Sequence, residues 1–360
     1  MDNLKSKPAR NGIIEFMRFI FSLVVICYHG LAFLPKDSLF LRFPNGAIAV
    51  EFFFVLSGFL MAKTASKKLH NETSIGIDSA KFICKKYLSI FPYHLYAFIF
   101  TFIITVIINN FSFVEMIKSF VNAIPNLFLL DMTGLPNKLI VGYEWYISAM
   151  LIAMAVIYPF LRRWFNLTTK VFAPVISLLL LGWIWQKYGQ MTYISLWTGF
   201  AFKGVIRAFA EILLGCAAYS VYEKIKNLNF TAFGKFSLLV IEAIGYTATL
   251  LYAATKKSET YYFYLILFIA LSIAVSFSGK TITCQIFKSK VFMFLGKLSL
   301  PLYLNQYGYL LIVDKYFTNI QGNYRIIIFL SLTIVSSLLC LFIVDFLKKK
   351  VNLKNLFIAK

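Results

Sequence analysis

The chain has 360 residues, of which 60% are hydrophobic and 14% charged, and its 36 Lys and Arg against 15 Asp and Glu give a net charge of +21. A soluble domain of this size does not reach a mean hydropathy of +0.75, whereas repeated apolar runs of bilayer length mark a polytopic helical membrane protein. The basic residues cluster between those runs and form no stripe suited to a groove, so the charge points to a lipid bilayer and not to nucleic acid.

Residues 1–12 are polar and basic (Lys5, Lys7, Arg10), which assigns the N-terminus to the cytoplasm. The first apolar run is too long for a signal-peptide core and lacks a small-residue cleavage site, so it stays as a span at about 13–34. An outer loop with Pro35 and Pro44 leads to span 2 at about 46–62, and the Lys-rich segment 63–86 returns to the cytoplasm. Span 3, about 87–109, carries Pro92 in its first turns, where proline is tolerated or kinks the helix. Segment 113–131 is apolar but short and broken by Pro125. A full crossing there would put Arg162 and Arg163 outside, so it is expected to be re-entrant or to lie on the outer surface. Spans at about 144–161, 172–187, 204–222, 236–254, 261–278, 291–313 and 326–347 follow. The expectation is an all-α polytopic protein with about ten transmembrane helices, both termini cytoplasmic, forming one domain over 1–360. In that register 23 of the 36 Lys and Arg are cytoplasmic, ten are outside, and three (Arg18, Arg207, Lys297) lie within spans.

The polar residues inside spans are the candidates for function, because charge at membrane depth is costly. Arg18 and His29 are eleven residues apart, roughly three helical turns, so both point to one face about 16 Å apart along the axis. Glu51 in span 2 is expected at the depth of His29, and consecutive spans are usually neighbours. A carboxylate there either makes the imidazole a general base or merely satisfies it within the bundle. Arg18 with Lys85 and Lys86 at the inner mouth of span 3 would hold a phosphorylated ligand, although positive-inside anchoring also explains the two lysines. Glu15 is placed to pair with Arg18, and Arg207 with Glu211 four residues on. Glu144, Trp145 and Tyr146 open span 4 at the outer surface, where aromatic-belt anchoring or stacking on a sugar would use the same side chains. His70, in a cytoplasmic loop with the sequon-like Asn71-Glu72-Thr73, and His94, near the inner start of span 3, are assigned surface or structural roles. Five cysteines (Cys27, Cys84, Cys216, Cys284, Cys340) show no metal-binding spacing, and no metal is expected.

The stretch IEFMRFIFSLVVICYH resembles the Arg-X10-His motif of the membrane-bound acyltransferase-3 family, and AVEFFFVLSGFLMAK, with Glu51, Ser57 and Gly58, resembles that family's second signature. EWYISAML…YPFL and FLGKLSLPLYLNQYGYLL are similar to further family segments, so the likeness covers nearly the whole chain. Two segments depart from it. Ser89 stands at the second place of the family's basic pair in span 3, and Asn305 and Gln306 stand where many members carry a histidine.

The resemblance implies an O-acyltransferase, most simply an O-acetyltransferase with acetyl-CoA as donor, acting on a cell-surface polysaccharide or its lipid-linked precursor from the bacterial cytoplasmic (inner) membrane. It implies His29 as base with Glu51 orienting it, Arg18, Lys85 and Lys86 around the donor nucleotide, and Trp145, Tyr146 and Asn305 toward the acceptor. The competing expectations are a transporter or flippase that moves an amphiphile without acyl transfer, and a non-catalytic scaffold for glycan assembly.

Overall fold

The structure, a computed structural model, describes residues 10–35, 38, 40–69, 74–255 and 261–350; His70 and the sequon 71–73 lie outside them. Among the described residues the chain is helical without strands. The main helices are α1 (Gly12–His29), α2 (Ala49–Ser66), α3 (Ile75–Ile108), α4 (Phe113–Asn122), α5 (Trp145–Arg163), α6 (Phe165–Tyr188), α7 (Lys203–Asn227), α8 (Ala232–Ala254), α9 (Tyr262–Ser278), α10 (Lys290–Tyr316) and α11 (Gly322–Lys350). Eight of them are long and apolar enough to cross a membrane, with α9 a shorter apolar helix of 17 residues. The 27-residue α10 is interrupted by polar residues, and it packs inside the bundle against α1, α3 and α11. This is the all-α polytopic architecture expected.

Local chemistry fixes the helix ends. The Asn11 side chain accepts from Ile14 N–H at the start of α1, while its Nδ2 donates to Ser276 O at 2.6 Å and ties α1 to the end of α9. Ser112 and Glu115 form a capping box on α4. At ten residues, about 15 Å, α4 cannot cross a hydrocarbon core of about 30 Å. It leaves Phe113, Val114, Ile117 and Val121 exposed.

Two glycines decide how the bundle closes. A Cβ on Gly58 would collide with the Ile212 carbonyl oxygen, and one on Gly215 with that of Val55. Only the absent side chains allow α2 and α7 to pack backbone to backbone, as small residues do between membrane helices. That contact brings Glu51 on α2 beside Arg207 and Glu211 on α7. On the other flank, Gly296 of α10 makes room for the Glu15 carboxylate of α1.

Candidate functional site

One face of α1 carries Arg18, Ser22, Val25 and His29, and two cavities open along it. The one at the Arg18 end of α1, inner in the expected topology, has about 200 Å³ and is lined by Arg18, Ser22, Ser57, Lys86, Ser89 and Tyr146 among others. The outer one, about 110 Å³, is lined by Tyr28, His29, Trp145, Tyr193 and Arg207 among others. Tyr303 of α10 belongs to both walls. Arg18 donates to Glu15 at 3.1 Å, and Glu15 also meets Arg10 at 3.7 Å, so the expected pair forms while the arginine still borders the cavity. Ser57, from the LSGF stretch, faces this cavity and donates to the Met150 sulfur at 3.2 Å.

Gln306 and Tyr143 hold His29. Its Nδ1 lies 2.8 Å from Gln306 Oε1, and Gln306 Nε2 donates to the Tyr303 carbonyl at 2.8 Å. Because that second bond needs the amide nitrogen, the amide oxygen faces the imidazole and Nδ1 carries the proton. Nε2 is left as the basic nitrogen of a ring that lines the outer cavity. The Tyr143 ring stacks on the imidazole with centroids 3.5 Å apart and planes 6° apart.

Several expected site residues take other positions. Glu51 is not the group hydrogen-bonded to His29. It is fully buried, its Oε1 accepts from Arg207 Nη2 and Tyr262, and its Oε2 accepts from Arg207 Nε at 3.2 Å. The reason is the glycine-mediated contact of α2 with α7, which gives the carboxylate a guanidinium before an imidazole. Arg207 also donates to Glu211 at 3.1 Å and to Met191 O at 3.2 Å. Lys85 is exposed, and only Lys86 of the two lines the inner cavity, since adjacent helical residues diverge by about 100°. Ser89, three residues on, shares that wall. Trp145 borders the outer cavity, 5.4 Å from the Arg207 guanidinium, and Tyr146 is buried against the inner one. Asn305 lines neither cavity, being buried with its Nδ2 on the Pro301 carbonyl at 2.9 Å.

Of the surface and structural positions expected for His94, the structure shows the buried one. Helix α3 starts at Ile75, so His94 lies about 12 Å beyond Lys86 along it, buried with Nδ1 2.6 Å from Glu144 and Nε2 donating to Leu127 O at 2.9 Å. Nearby Asp131 accepts from Asn126 and Asn137 on Oδ1, while its buried Oδ2 has no partner among the described residues. Burial, and then the Glu144 charge, push the Asp131 carboxyl up to about 7. A raised carboxyl pKa stabilises the fold fully below its unfolded value near about 4, and that contribution is lost as pH rises through about 7. Melting in detergent is therefore expected to fall between about pH 5 and about pH 8 more steeply for the native protein than for Asp131→Asn. Parallel profiles would refute that shift.

Gln306 and Tyr143 are not legible in the sequence as partners of His29. The signal available is the i, i+3 spacing of Tyr303 and Gln306, which places both on one face of α10. Compared with known proteins, residues 11–345 match a family model described as an acyltransferase domain. No curated protein and no solved structure matches.

Proposed function

The chain belongs to the acyltransferase-3 family of membrane proteins, and from that premise we propose that it is an O-acyltransferase of the bacterial cytoplasmic membrane. It takes an acetyl group from cytoplasmic acetyl-CoA and transfers it to a hydroxyl of a cell-surface polysaccharide or its lipid-linked precursor. One observation carries this reading: cations border the inner cavity, an unprotonated imidazole nitrogen borders the outer one, and both cavities lie along the same face of α1.

Arg18 and Lys86 pair with the donor's phosphates at the inner mouth, while Ser22, Ser57 and Ser89 offer hydroxyls along the wall. The pantetheine arm then spans the roughly 16 Å between Arg18 and His29. His29 Nε2 accepts the proton of the acceptor hydroxyl as its oxygen attacks the thioester carbonyl. The C–S bond breaks, and the imidazolium returns the proton to the departing thiolate, giving an O-acyl ester and free CoA. Gln306 holds the ring in the tautomer this needs, and Tyr143 fixes its plane.

Purified protein in nanodiscs, given radiolabelled acetyl-CoA and the glycan fraction of its own cells, should release CoA and label the glycan in equal amounts. Arg18→Ala removes a charge-assisted contact worth about 1.5–3 kcal/mol, so the KM for acetyl-CoA should rise about 10- to 100-fold with a smaller change in kcat. Glycan that crosses the membrane without gaining label would favour a transporter and overturn the proposal.

A further inference from the structure

Tyr303 stands where the inner cavity ends and the outer one begins, and it is only 6% exposed. Its ring meets Tyr146 edge-on at 5.6 Å, and its hydroxyl donates to the Tyr143 carbonyl oxygen. The Tyr143 ring in turn stacks on His29, and the Tyr303 carbonyl anchors the Gln306 amide that holds His29 Nδ1. Two separate chains of contact therefore tie this one residue to the imidazole. Two positions earlier, Pro301 has no N–H for the Lys297 carbonyl, which loosens the turn that carries Tyr303.

We propose that Tyr303 is the barrier between the donor and acceptor cavities and the residue that couples opening of the passage to the orientation of His29. The inference rests on the acyl-transfer reading above. Water in the outer cavity would hydrolyse a thioester that any sugar hydroxyl can attack, so an enzyme that joins an inside donor to an outside acceptor must keep water out until the acceptor is seated. With Tyr303 in place, its ring closes the passage. When it swings aside, the Tyr143 carbonyl loses its donor and the ring stacked on His29 loosens; when it settles back against the pantetheine arm, that bond re-forms and the imidazole is held again for transfer.

Three measurements test this in full-length protein. Without acceptor, Tyr303→Ala should raise acetyl-CoA hydrolysis at least about tenfold over the native protein and lower the fraction of acetyl groups that reach glycan. Tyr303→Phe keeps the ring and loses the hydroxyl, so hydrolysis should stay at the native level while transfer falls; loss of packing alone would not separate the two. The third readout needs no substrate. Ser57→Cys, in the inner cavity, should resist a small charged methanethiosulfonate applied outside right-side-out vesicles and become labelled once Tyr303→Ala is added. Unchanged hydrolysis in Tyr303→Ala, or equal labelling of the Ser57→Cys thiol with and without the Tyr303 ring, overturns the barrier. Labelling that depends on Tyr303 in a protein that never cleaves acetyl-CoA would sustain the barrier and sink the acyl-transfer reading instead.

Discussion

Replacing His29 by alanine is expected to lower acyl transfer by about two to four orders of magnitude, the range that general-base catalysis supplies, while expression and membrane insertion stay normal. The sharper variant is His29→Asn. Its side-chain amide nitrogen falls near the position of Nδ1 and retains a donor for Gln306 Oε1, now 2.8 Å from the ring, but nothing remains at Nε2 to take a proton. If His29 acts as a base, Asn must be as inactive as Ala. If it only packs beneath Tyr143 and satisfies Gln306, Asn must restore most of the activity. The assay is CoA release together with O-acetyl content of the glycan by NMR.

Arg207→Ala is expected to cost about 3–5 kcal/mol of stability, the usual penalty for removing one partner of a buried ionic set. Arg207 is 1% exposed, and Glu51 and Glu211 are fully buried. Without the guanidinium, two carboxylates remain buried side by side, with the Tyr262 hydroxyl still donating to Glu51. Replacing all three by apolar side chains of similar volume should cost far less than the single change, because no charge is then stranded. Melting in detergent followed by size-exclusion separates the cases, and an Arg207→Ala protein as stable as the native one would refute the role given to this set. Trp145, which stacks near the guanidinium and borders the outer cavity, should lose its position along with it.

What can be seen in the sequence, and what cannot, follows from the range of the interactions. The common face of Arg18 and His29 is a property of a single helix, legible from an eleven-residue spacing, and the structure lines two cavities with that face. The span pattern is legible because hydropathy is additive along the chain. Glu51 goes astray because depth and adjacency name His29 as its neighbour, whereas its partner Arg207 is 156 residues away and arrives through Gly58 and Gly215. Lys85 and Lys86 look equivalent as charge, yet helical rotation admits only one of them to the cavity. His94 reads as surface or structural because hydropathy carries no sign of its partner Glu144, 50 residues away. The Tyr143–Glu144–Trp145 corner looks like an interfacial belt in sequence, and only the fold shows Tyr143 against His29 and Glu144 against His94.

Sidedness offers the most direct test of a donor bound at one end of α1 and a base waiting at the other. In proteoliposomes of uniform orientation, acetyl-CoA would be supplied either at the Arg18 mouth or at the His29 mouth, with the glycan acceptor at the opposite face. Labelled glycan should form only when acetyl-CoA is at the Arg18 mouth. Transfer from acetyl-CoA offered at the His29 mouth, or transfer that requires both substrates on one side, would contradict a passage through the bundle.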